Sequence, residues 1–154
     1  LDSLSIALAT QEQNLYVALE QKSIKKPQPP HGEWDLYFGR YMERLFDGRD
    51  TLDYSVVGTL SNPYAIETAN WIDSTLSFEE LQLSDLQEQS FSRRQNHIGH
   101  DWKSFDIDAN LFSVNPYRYL AIKRDNGEWY KFSFSSFYGQ NGEKGVASFR
   151  YLAF

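Results

Sequence analysis

The tripeptide Asp125-Asn126-Gly127 constrains this chain more than any other feature, because it sits between two runs of aromatic and β-branched residues, Tyr119 to Arg124 and Glu128 to Phe134. A turn signal of this kind between apolar runs specifies a β-hairpin. The register follows from which side chains then face each other. A two-residue turn at Asn126-Gly127 sets Ile122 opposite Lys131, a core aliphatic beside an ammonium. A three-residue loop with Gly127 left-handed sets Arg124 opposite Glu128, Ile122 opposite Tyr130 and Leu120 opposite Phe132, and every pair is compatible. With the run Val146 to Tyr151 the hairpin extends into a three-strand meander. One face carries Leu120, Ile122, Tyr130, Phe132, Phe134, Phe149 and Tyr151. The other carries Lys123, Trp129, Lys131 and Ser133, so the sheet is predicted to be half-buried, with its apolar face covered by the rest of the chain.

The 154 residues fit a single domain, 1–154, and the wealth of Tyr and Phe against one Met favours β structure over a helical bundle. The expected fold class is all-β, or β-dominated α+β, with antiparallel sheets and one or two short helices. A formal net charge of −6 argues against sequence-independent nucleic-acid binding, which requires a Lys/Arg surface. The absence of cysteine excludes disulfides, thiolate metal sites and cysteine nucleophiles. No apolar run is long enough for a transmembrane segment. The chain opens on Leu1 without an initiator Met, which reads as a processed or truncated start, with any targeting or lipidation signal upstream.

The first ten residues read as a short helix or a strand, and Asn14 to Glu20 as a strand with Leu15, Val17 and Leu19 on one side. Lys25 to Gly32, rich in proline, reads as a loop. Glu33 to Tyr41 alternates Trp34, Leu36 and Phe38 against Asp35, Tyr37 and Gly39, a strand in which Gly39 marks a bulge or a close backbone approach. Phe46 to Asp53 reads as a hairpin loop, Tyr54 to Leu60 and Ala65 to Ala69 as strands, and Phe112 to Val114 as the lead into the meander. Ser77-x-x-Glu80 and Ser84-x-x-Gln87 fit capping boxes for one or two short helices over 77–89, with Phe78 and Leu81 on one face.

Chemistry concentrates in Phe91 to Trp102, which reads as a polar, Gly-containing loop. His97 and His100 are three residues apart with Asp101 beside them, a spacing that can hold a metal, although loop histidines more often cap backbone groups or face solvent. Scattered carboxylates and the tryptophans 71, 102 and 129 leave open a hydrolase and a surface interaction or carbohydrate-binding module, though at least two of those tryptophans are expected in the core.

Ile98-Gly-His-Asp-Trp-Lys103, Tyr119-Leu-Ala-Ile-Lys123, Asn126-Gly127, Trp129 to Phe134, Ser136-Phe-Tyr138, Gly142-Glu-Lys-Gly145 and Phe149-x-Tyr151 follow one another in an order and spacing that resembles the HmuY family of haem-binding proteins. Trp34-Asp-Leu-x-Phe-x-Arg-Tyr41 and Gly58 to Pro63 are similar to it upstream. The resemblance implies a non-enzymatic β protein of Gram-negative bacteria, an outer-membrane lipoprotein or an extracellular form released from the membrane. Such a protein takes haem, free or from haem-carrying proteins, and passes it to an outer-membrane haem receptor. It also implies iron ligation by two side chains, His or sometimes Met, from loops at one end of the fold. His97 and His100 are then the axial-ligand candidates. Residues 43–96 contain neither His nor Met, which leaves Met42 and His31 as candidates for an additional ligand.

Overall fold

The computed structural model describes residues 2–7, 15–25, 29–46 and 48–154. Among them run β1 (Asp2–Ala7), β2 (Leu15–Ala18), β3 (Ser23–Lys25), β4 (Leu36–Phe46), β5 (Thr51–Ser61) and β6 (Ile66–Ile72). A short helix, α1 (Leu83–Gln87), precedes β7 (Lys103–Asp106), β8 (Leu111–Val114), β9 (Arg118–Arg124), β10 (Trp129–Tyr138) and β11 (Lys144–Ala153). One sheet has the order β1-β11-β10-β9-β6, a second β3-β2-β4-β5, and β7-β8 stand as a separate hairpin. Every pairing is antiparallel. The N-terminal alternative resolves as a strand, with Leu4 opposite Phe149.

The meander has the expected register: Ile122 faces Tyr130, Leu120 faces Phe132, and the Arg124 N–H donates to Glu128 O at 2.9 Å. Gly127 takes φ +94°, the left-handed conformation the three-residue loop requires. Its apolar face meets Leu15, Val17, Leu36 and Phe38 of the second sheet in the main core. Phe38 stacks on Phe149 at 5.4 Å, and Trp102 stacks on Phe134 at 3.9 Å. A buried ion pair clips the two sheets together, Arg124 Nε to Asp35 Oδ1 at 3.0 Å, with Asp35 Oδ2 also accepting from Leu19 N–H at 2.8 Å.

The opposite face of the meander differs from the half-buried expectation, since Lys131 and Ser133 are also buried. Segment 73–91 covers them, packing Phe78 and Leu81 against Tyr119, and Leu86 of α1 against Ala69 and Ala121. Lys131 tolerates this because its Nζ donates to Glu79 O and Leu81 O, at 3.2 and 2.9 Å. The helix signals are also displaced. Glu80 does bond the Ser77 N–H and hydroxyl, but only a turn forms there. The helix starts after Gln82, whose N–H donates to Asp85, so Ser84 lies inside it and caps nothing.

Trp34 precedes β4 and packs with Tyr16 and Tyr37, away from Leu36 and Phe38. Pairing of β4 with β5 continues unbroken from Leu36↔Ser61 through Gly39↔Gly58 to Phe46↔Thr51, so Gly39 marks no bulge and the connecting loop is shorter than expected. The β7-β8 hairpin had no expectation beyond Phe112 to Val114.

The stretch expected to be a loop before Trp102 is pinned at both ends to the exposed edges of the sheets. Ser92 exchanges two backbone hydrogen bonds with Thr68 of β6, and Gly99 exchanges two with Thr59 of β5. Unpaired strand edges invite foreign strands, and this strap covers part of the β6 edge and part of the β5 edge.

Candidate functional site

The strap determines where the two histidines go. His97 closes a turn on Arg94, and its Nδ1 lies 3.0 Å from Thr68 Oγ1 on β6. Ile98 is buried in the core. Gly99, at φ +71°, bridges Thr59 of β5. Here the close approach is at Gly58, where an added Cβ would stand 2.6 Å from Gly99 O. Asn96 bonds Glu43 on β4 at 3.0 Å, and Asp101 pairs with Arg118 at 3.1 Å, fixing the strap on either side of the turn. One residue beyond Gly99, His100 lines a cleft of about 470 Å³.

Val56 and Val57 of β5 form one wall of this cleft, with Phe105 and Phe112 of the small hairpin and Phe137 of β10 forming the other. Phe112 holds the wall together, with its ring 4.8 Å from Phe105 and 4.9 Å from Phe137 and its N–H donating to the Tyr138 hydroxyl at 2.8 Å. Arg40, Lys103 and Lys144 complete the lining with His100 and Gly145, and no carboxylate among the described residues belongs to it. Lys144 Nζ stands 4.7 Å from the Phe112 ring centre and Lys103 Nζ 5.0 Å from that of Phe137. Among the described residues, no acidic group forms an ion pair with any of the three cations. Lys103 Nζ donates instead to Val57 O at 2.6 Å and His100 O at 3.2 Å. Burial pulls its ammonium down to about 8, a shift the Asp101 charge only partly opposes.

Of the candidate iron ligands named from the sequence, His100 alone is among the described residues lining the cleft. His97 lies outside that lining, its ring against Thr68 of β6. Met42 is 64% exposed on β4, two residues beyond Arg40 and so on the same face of the strand. His31 opens a 3-10 turn, and its side chain lies outside the described residues. Trp102 is fully buried, while Trp71 and Trp129 pack half-buried against the α1 cluster. Sequence reasoning missed Arg40, Lys103, Lys144 and the three phenylalanines, because five different strands bring them together and no local pattern marks that convergence.

The sequence profile described as HmuY protein matches residues 10–151. No curated protein sequence matches the chain. Among solved structures, a Bacteroides vulgatus protein assigned as HmuY-like and haem-binding is similar at TM-score 0.61 and 11% identity, over 97% of this chain and 89% of its own. Apo PinO from Porphyromonas gingivitis matches at TM-score 0.58 and 13% identity, over 99% of this chain and 96% of its own. The apo HmuY analog of Tannerella forsythia matches at 0.53 and 13%, over 99% and 94%. Identities this low establish a shared fold and nothing more. The profile match, which runs through almost the whole chain, shows that this protein belongs to the HmuY family.

Proposed function

We propose that this protein is a non-enzymatic haem binder of the bacterial surface, acting as one domain and held at the outer membrane as a lipoprotein or released from it. It captures haem in the cleft beside His100 and delivers it to an outer-membrane receptor. The observation that carries this reading is the composition of the cleft. A histidine, three phenyl rings, two valines and three cations without ion-pair partners converge there with no carboxylate among them. Haem presents the complementary chemistry: an iron with axial positions, a flat apolar ring and two carboxylates. The volume falls within the roughly 300–1,000 Å³ of small-molecule sites.

His100 is the proposed axial ligand, and Met42, His97 and His31 are the candidates for the opposite position. Met42 shares the Arg40 face of β4. His97 would have to give up its Thr68 contact or bind through Nε2. The phenyl and valine walls bury the ring and exclude water, and the cations meet the carboxylates. Bound iron supplies the axial bonds that slow release.

Two competing readings lose support. A carbohydrate platform built on tryptophans needs exposed indole faces, and Trp102 is buried while Trp71 and Trp129 pack against the α1 cluster. A carboxylate-based hydrolase needs acids in a concave site, and among the described residues this cleft has none in its lining. A haem titration followed at the Soret band tests the proposal. Saturation at one haem per chain with a shifted band is expected, and an unchanged free-haem spectrum at micromolar protein would refute it.

A further inference from the structure

We propose that the cleft selects its ligand by charge and shape more than by metal: it takes planar apolar molecules bearing two carboxylates and holds them whether or not they contain iron. This inference rests on the haem reading of the same cleft and deepens it. The chain carries 21 acidic and 15 basic residues, yet Arg40 from β4, Lys103 from β7 and Lys144 from β11 meet where no acid lines the wall. Elsewhere among the described residues, cations are commonly neutralised: Arg124 by Asp35, Glu20 and Glu128, Arg93 by Glu67 and Asp125, and Arg150 by Glu79. The cleft cations instead stand against aromatic rings, Lys144 between Phe105 and Phe112, Lys103 between Trp102 and Phe137. Ring faces hold an ammonium in place without neutralising it, so an incoming carboxylate finds a preorganised partner.

Recognition of the ring is equally indifferent to its centre, because phenyl and valine contacts depend on apolar area. Among the described residues lining the cleft, His100 is the one group with a lone pair suited to iron, against three groups suited to carboxylates. Iron ligation therefore adds to binding without being its precondition.

Metal-free protoporphyrin IX, titrated by its own fluorescence, separates these contributions, with haem and the porphyrin dimethyl ester measured beside it. The expected result has three parts. Protoporphyrin binds within roughly tenfold of haem, the dimethyl ester binds at least roughly tenfold more weakly than the free acid, and an Arg40→Gln/Lys144→Gln variant loses roughly tenfold for both carboxylate-bearing ligands. His100→Ala should weaken haem several-fold more than it weakens protoporphyrin. Arg40 and Lys144 are exposed, so this double variant should keep the wild-type unfolding transition. Haem binding without protoporphyrin binding would overturn the inference and leave the haem reading intact. Equal binding of acid and ester would overturn the role of charge. Protoporphyrin binding without haem binding would sustain the inference and remove the haem reading, and failure of both ligands would remove both.

Discussion

Lys131 under segment 73–91 and Lys103 in the cleft are bonded almost identically. Each donates to two backbone carbonyls, Lys131 to those of Glu79 and Leu81, Lys103 to those of Val57 and His100. Both lie over phenyl rings, Phe78 at 5.0 Å and Phe137 at 5.0 Å, and burial lowers the pKa of both. What differs is their surroundings. Over Lys131 the chain closes on itself, and the neighbouring Arg150 is neutralised by Glu79 at 2.7 Å. Around Lys103 the chain stays open and adds two more cations. The same local chemistry thus serves as a tether where the protein supplies its own lid, and as a recognition group where it leaves room for another molecule.

The largest contrast is expected in the aromatic side chains of the two regions. Phe149→Ala under the meander should cost about 3–5 kcal/mol in urea unfolding, whereas Phe112→Ala in the half-buried cleft wall should cost less than about 1.5 kcal/mol and weaken haem binding. Equal destabilisation would mean that the cleft wall is simply core. The two lysines come next. Lys131→Ala leaves two carbonyls without their donor and should cost about 1–3 kcal/mol with haem affinity unchanged, while Lys103→Ala should lower affinity by roughly tenfold. An affinity loss in the Lys131 variant would dissolve the distinction.

Gly58→Ala probes the strap. Its Cβ would collide with Gly99 O and the His100 backbone, so a loss of about 1–3 kcal/mol is expected, with amide shift changes concentrated at 57–60 and 97–101. Unaltered shifts at 97–101 would show that the strap does not rest on β5 there.

The smallest effect is the pH dependence. Lys103 has a folded value of about 8 against an ordinary 10.5, so the folded chain holds fewer protons than the unfolded chain between those values. Stability from this group therefore rises as pH climbs from about 8 to 10.5, while affinity for a carboxylate ligand falls above pH 8 as the cation is lost. In a Lys103→Ala variant both slopes should flatten, and persistence of the affinity slope would move its origin to another group.

The meander was legible because its determinants are local. Turn chemistry at Asp125 to Gly127 and the two-residue alternation of Leu120, Ile122, Tyr130 and Phe132 specify register without reference to the rest of the chain. The burial of Lys131 was not legible, since its apparent misfit with an apolar environment is answered by carbonyls fifty residues away in sequence. The histidine spacing was visible, but its consequence was not. Three residues apart suggested one shared site, yet the contact of His97 with Thr68 on β6 and the bridge of Gly99 to Thr59 on β5 hold the two histidines at the edges of different sheets. The cleft itself had no sequence signature, as its cations come from β4, β7 and β11 and its rings from β7, β8 and β10.

A haem titration of His100→Ala beside His97→Ala, read at the Soret band, tests the assignment of the cleft most directly. The shifted band of ligated iron should disappear in the His100 variant and persist in the His97 variant. A band that persists without His100 and vanishes without His97, or one that neither substitution alters, would contradict the placement of haem in this cleft.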